Sequence, residues 1–348
     1  MVNNFPERIV SARKMAGLSL QDLADKLEAG ITRQALNKYE HGKAKPSGEV
    51  LTQIANALNV PVDYFYREVK VELDDIDFRK HTRLPKKDIE RVKAECCDFL
   101  ERYLELEDLL GIQSSFENPI KTKKIKSKED IERASVELRQ AWGLGTGPLP
   151  GLVELFEEKK IKLMHVNAPE TFSGMSTWVK DIPVIVLNKN FPSQRSRFTA
   201  LHELAHLILD LSAFDEKQEE KMCHEFAGAM LLPKGPFLEI FGEKRSSVTE
   251  QELKIIDEQY GVSVQAIMAR AYSLKVISDT AYRDFNTWLN KTGKRNKEFV
   301  QYHCQEQPLR FMRLIYKAVS ENVISMSKAA ALANMRLADF REAVVAVR

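Results

Sequence analysis

Cysteine is scarce in this sequence: four in 348 residues, two of them adjacent at Cys96 and Cys97. A disulfide framework is excluded, and a reducing, cytoplasmic setting is the expectation. Long apolar runs are missing as well. None approaches the ~18 residues of a membrane span, and the opening MVNNFPERIV has no apolar signal region, so no membrane association is expected. An excess of one charge is also absent, since 52 Lys and Arg stand against 50 Asp and Glu, a formal net charge of +2. Any nucleic-acid site therefore has to be a local patch. What is present is ordinary globular material, 44% hydrophobic and 29% charged, in a chain long enough for roughly two or three domains.

The first 67 residues read as short helices between tight turns. Ile9, Ala12 and Met15 are spaced for one helix, which stops at Gly17. Ser19, with Asp22 three residues on, opens a second that carries Leu23 and Leu27; Thr32 opens a third with Leu36 and Tyr39; a fourth follows Pro46 with Leu51, Ile54, Ala55 and Leu58. Two short helices about a Gly-marked turn are the helix-turn-helix layout. Gln21, Leu23, Ala24, Tyr39, Glu40, Gly42 and Pro46 resemble the pattern of Xre/Cro-type helix-turn-helix repressors, with one extra residue in the turn KLEAGIT. The resemblance implies a double-stranded operator as partner, with the helix from Thr32 in the major groove. Gln21, Thr32, Arg33, Gln34, Asn37 and Lys38 are then the DNA-facing residues. The competing reading is a helical bundle that binds protein, because residues 1–60 hold only eight Lys and Arg against six Asp and Glu.

Beyond it, Val69, Val71 and Leu73 alternate as a short strand would. Ile89, Val92, Cys96, Phe99, Tyr103, Leu106 and Leu110 then repeat at intervals of three and four. That stripe is either the seam of a homodimer, which a palindrome reader needs, or a face packed on another part of the chain. The lysine-rich SSFENPIKTKKIKSKED reads as a solvated boundary. Helices KEDIERASVELRQAWGL and LVELFEEKK follow, with strands IKLMHV, STWVKD and PVIVLNKN, so residues 126–275 form an α+β domain. In the tail, Phe311, Leu314, Ile315 and Val319 form an apolar stripe, and Ser327 is the expected cap of a last helix.

The chemistry is in RFTALHELAHLILD. His202 and His206 are four apart, so they project from one helix face and can share an ion. Glu203 is offset, able to reach a water on that ion without ligating it. The flanking residues are apolar nearly all round, and burying imidazoles and a carboxylate is costly unless they are paired or metal-bound. The competing reading is two core histidines satisfied by carbonyls. A catalytic zinc takes three protein ligands. In EEKMCHEFAGAMLLP, extending the stripe Cys223, Phe226, Ala227, Met230, Leu231 back one turn reaches Glu219 and Glu220, and His224 is a third candidate. Spacing alone does not choose among them.

RFTALHELAHLIL, followed by Glu220, Phe226, Ala227, Leu231, Leu232 and Pro233, resembles the ImmA/IrrE family of metallopeptidases. PVIVLN and GPLPGLVELFEEKKIKL match its upstream segments. The likeness, with the helix-turn-helix in front, covers nearly the whole chain. It implies a zincin-like α+β peptidase domain, with zinc, or alternatively manganese, on His202, His206 and Glu220, and with Glu203 as general base. Its pattern has Ala-Asn where this chain has Cys223-His224. The expected division is 1–67 helix-turn-helix, 68–125 linker and long helix, 126–275 HExxH peptidase and 276–348 helical tail. The expected activity is metal-dependent cleavage of a helix-turn-helix repressor in a stress or mobile-element response, with Pro183–Asn188 binding extended substrate by strand addition. The alternative is a non-catalytic DNA-binding repressor or antitoxin-like regulator, its metal structural or sensory.

Overall fold

The structure, a computed structural model, describes residues 5–27, 30–67, 71, 84–113, 115–120, 124–295, 297–304 and 306–344. The chain is α+β and divides into two compact units, residues 1–115 with 179–182 and 309–348, and residues 116–178 with 183–308. Among the described residues no helix is long and apolar enough to cross a membrane.

The first unit opens with α1 (Phe5–Met15), α2 (Leu20–Lys26), α3 (Arg33–Glu40) and α4 (Gly48–Leu58), then a 3-10 turn over Val62–Tyr66. The caps are local. Ser19 and Asp22 form a capping box on α2, and the Thr32 hydroxyl accepts the Ala35 N–H of α3. Ile9, Leu23, Leu36, Leu51, Ile54 and Phe65 close one core. Arg13 on α1 grips Glu40 at the end of α3 with two bonds, 2.6 and 2.8 Å, which fixes the exposed helix α3 to the bundle. Of the turn KLEAGIT, Glu28 and Ala29 lie outside the described residues, as do Val69 and Leu73 of the expected strand. Helix α5 (Lys86–Leu109) follows and runs along α1, tied by a buried Arg8–Glu101 pair at 2.6 Å and by Lys14–Glu90.

The second unit holds α6 (Lys128–Ala141), α7 (Leu152–Glu158), β1 (Lys162–Val166), β2 (Gly174–Val179), β3 (Ile182–Asn188), α8 (Ser193–Ile208) and α9 (Glu216–Leu231). Then come α10 (Lys234–Phe241), α11 (Glu250–Tyr260), α12 (Val264–Ser273) and α13 (Asp279–Lys291). The sheet order is β1-β3-β2, with β1 and β3 parallel from Lys162 against Val184 to Val166 against Asn188. The nearly unbroken apolar run of β3 is buried because it is the middle strand. Asn188 ends it with its amide donating to the carbonyls of Ala168, Pro169 and Phe172. One contiguous core joins the sheet to α6, α7, α8, α9, α11 and α12.

The last helices, α14 (Arg310–Ser320), α15 (Met326–Ala333) and α16 (Leu337–Ala343), belong to the first unit. Ser325 caps α15, not Ser327, which sits inside it. Here the heptad stripe finds its partner. Tyr103 and Leu106 pack with Phe311, Ile315, Ala329, Leu332 and Phe340, and Phe99 and Leu110 lie against the same cluster. The second half of the stripe is thus covered within one chain, and Val92 and Cys96 in the first half are buried as well, so a dimer seam along the whole stripe is not open. The grouping differs from the expected four-part division because α5 and the tail bury each other's apolar faces.

Asp257 on α11 is completely buried, with one oxygen 3.1 Å from the Gln194 amide. Burial pushes its carboxyl up to about 7, against about 3.9 in an unfolded chain. The folded state holds this proton more tightly, so its stabilisation is complete below about pH 4 and is lost as pH rises towards about 7. Asp257→Asn is expected to flatten that part of the stability profile and to raise the urea midpoint at pH 8 more than at pH 4.

Candidate metal centre

Two helices build the site. On α8, Ala200, Leu201, Leu204 and Ala205 are buried in the core, which leaves His202 and His206 on the side that faces α9. Helix α9 is fixed at both ends. Asp215 and Gln218 form a capping box at its start. At its end Arg139 donates to the Met230 carbonyl and Arg270 to the Leu232 carbonyl, so two cations sit where the helix dipole is negative.

The three ring and carboxylate donors converge. His202 Nε2 and His206 Nε2 are 3.2 Å apart. Glu220 places one oxygen 3.3 Å from the first and the other 3.2 Å from the second. Each of these nitrogens thus lies 3.2–3.3 Å from the other and from a Glu220 oxygen, close enough for one ion to be shared by the three side chains. The donor set fits zinc in type and spacing. Of the three candidates left open by spacing, Glu220 is the one that reaches Nε2 of both histidines. The two imidazoles hold its carboxyl well below the usual carboxylate range. Burial lowers His202 to about 4. Burial also works against protonating His206, but Cys223 and Glu220 outweigh it and raise His206.

Glu219 lies behind His206, its oxygen 3.3 Å from Nδ1. A ring that offers Nε2 to an ion carries its proton on Nδ1, and a carboxylate there fixes that tautomer. Glu219→Gln is expected to weaken zinc binding by about 10- to 100-fold without removing a donor, as read by competition with a chelating dye.

Glu203 is buried beside this cluster, and its carboxylate accepts a 2.9 Å hydrogen bond from the Ser176 hydroxyl on β2. Burial pushes its carboxyl up to about 7, against the opposing pull of His206 and Ser176. That is the range in which a carboxylate can both take and return a proton at neutral pH. Ser176 escaped the sequence reading because a lone serine on a strand carries no signal for a partner 27 residues away. Pro183–Asn188, expected to accept an extended peptide, is in the middle strand β3 and has neighbours on both sides. The strand edge beside Glu203 is β2, which also carries the half-exposed Trp178, its ring tilted against that of Phe116 with centroids 5.8 Å apart.

In the first unit, Thr32, Arg33, Gln34, Asn37 and Lys38 are all exposed on or just before α3. Gln21 is exposed too, its amide bonded to Asp25. Lys43 and Lys45, not singled out from the sequence, extend this face.

Comparison with known proteins fits both regions. Residues 9–65 match the family described as helix-turn-helix, and residues 156–272 the peptidase-family domain described as IrrE N-terminal-like. Among curated relatives, the SPbeta prophage-derived HTH-type transcriptional regulator YonR of Bacillus subtilis is 41% identical over 70 residues, 20% of this chain and 63% of the relative. The HTH-type transcriptional regulator YqaE of the same organism is 41% identical over 63 residues, 18% of this chain and 53% of the relative. The chain thus spans between about half and two thirds of the length of these relatives. A solved structure of Bacillus thuringiensis PlcR in complex with the peptide PapR7 and DNA aligns over 99% of this chain and 100% of its own. It does so at 17% identity with a TM-score of 0.17, too low to carry an argument. The chain therefore joins an N-terminal Xre/Cro-type helix-turn-helix domain to a domain of the ImmA/IrrE type.

Proposed function

We propose that this protein is a DNA-binding transcriptional regulator and a zinc-dependent endopeptidase. The observation that carries the reading is the convergence of His202, His206 and Glu220 within 3.2–3.3 Å of one another, with the Glu203 carboxylate beside them. His202, His206 and Glu220 would hold the ion. When bound, zinc supplies a polarised substrate carbonyl and a water acidic enough to lose a proton near neutral pH. Glu203 takes that proton on its carboxylate and returns it to the leaving amine. The Ser176 hydroxyl keeps the Glu203 carboxylate aimed. The edge of β2 binds the substrate as an added strand. Manganese is the alternative metal for the same donors.

The substrate of this reading is a helix-turn-helix repressor in a stress or mobile-element response. The prophage origin in the name of one relative supports it. The test is to incubate the purified chain with repressors encoded beside it, with and without chelator. Cleavage that needs the metal and stops in Glu203→Gln supports the reading, and no cleavage of any of them counts against it.

For the operator, Arg33 and Gln34 read base edges while Lys38 holds phosphate. Arg33→Ala or Gln34→Ala is expected to cost about 1–3 kcal/mol at the specific site. Lys38→Ala is expected to weaken all duplexes alike. Equal affinity of the unaltered protein for every duplex at physiological salt would remove the DNA part of the reading. Binding to an inverted repeat as a homodimer belongs to the same proposal, through a surface other than the α5 stripe, and light scattering with and without DNA tests it.

A further inference from the structure

His224 stands beside the His202 and Glu220 side of the cradle. It lies one turn after Glu220, and its ring meets that of His202 edge-on with centroids 4.4 Å apart. Phe198, one turn before His202 on α8, flanks the same ring at 5.7 Å. The ligating atoms of His202, Glu220 and His224 all lie within 4.8 Å of one another. The orientation of the ring is set by its own helix, because Nδ1 is 2.7 Å from the Glu220 carbonyl oxygen. A carbonyl only accepts, so Nδ1 donates to it and Nε2 is the ring atom left to face an ion.

We infer that His224 is a fourth protein donor to the ion, closing the position that a substrate carbonyl needs. The inference rests on the metal centre proposed above and adds its regulation: the resting chain is a masked peptidase, and substrate gains access by exchanging with His224. Among the four donors His224 suits this role. His202 is buried on α8 and Glu220 is held between two imidazoles, whereas His224 is exposed. Releasing it requires rotation of one surface side chain and loss of one hydrogen bond. A set of four protein donors is also what separates closed zinc sites from open catalytic ones, so one residue decides between the two states.

The test counts imidazoles by X-ray absorption at the zinc edge, on the full-length chain loaded with zinc alone. Wild type is measured beside His224→Ala and His224→Asn, with circular dichroism confirming the fold. The expected result is three imidazoles in the wild type and two in both variants, with weaker zinc binding in each. Two imidazoles in the wild type, unchanged in the variants, overturn the inference and leave the proposed peptidase standing. Three that persist in both variants overturn it too, since the third then belongs to another histidine. A wild type that retains no zinc overturns the metal centre itself.

Discussion

Glu203→Gln is expected to abolish cleavage while leaving the bound metal in place. The amide is nearly the same size and can still pair with the Ser176 hydroxyl, so the buried pocket beside β2 keeps its shape. What it loses is the ability to take a proton. General-base catalysis of this kind is worth about 10²- to 10⁴-fold in rate, and that is the expected loss in turnover of a peptide substrate. Metal content separates this role from a structural one. His202→Ala, His206→Ala and Glu220→Ala each remove an atom of the cradle and are expected to lose the ion. Glu203→Gln should keep one ion per chain. A folded Glu203→Gln protein without the ion would mean that Glu203 is a ligand and the division of roles is wrong.

The largest effect on stability is expected at Glu306. Arg197, on α8 five residues before His202, is 0% exposed, and its guanidinium meets the Glu306 carboxylate at 2.5 Å. It also donates to the carbonyls of Pro150 and Leu149, while the second Glu306 oxygen takes the Val153 N–H at the start of α7. Glu306 thus pins α7 and the metal helix together. Glu306→Ala leaves a buried cation without its counter-charge, which typically costs about 3–5 kcal/mol. For a domain of this size that is a fall in Tm of roughly 6–20 °C. Replacing both partners, Arg197→Met with Glu306→Leu, should recover most of it, because the cost comes from the unpaired charge and not from the lost attraction. A single variant within 1 °C of wild type would show that the pair contributes nothing.

Most features whose physics is local were legible in the residues, the cap expected at Ser327 and found at Ser325 being the exception. The caps at Ser19 and Thr32 need only neighbours three residues away, and the structure has both. The spacing of His202 and His206 requires only one helix, and the apolar run of β3 requires only a buried strand. The matches over residues 9–65 and 156–272 follow from such local patterns. Tertiary structure decided whatever depends on which elements meet. Glu219 and Glu220 are adjacent in sequence and differ only in how α9 is set against α8, so spacing could not rank them; the packed pair puts Glu220 at both Nε2 atoms and Glu219 behind one ring. The heptad stripe of α5 was open to a second chain or to its own, and the tail, some 200 residues on, covers its second half from Phe99 to Leu110. Strand order, too, is invisible in a strand's own residues, so the substrate edge moves from β3 to β2. The reason is common to all three. A side chain's reach is set by its own backbone, but its partner is set by loop closure and by burial of faces that lie far apart along the chain.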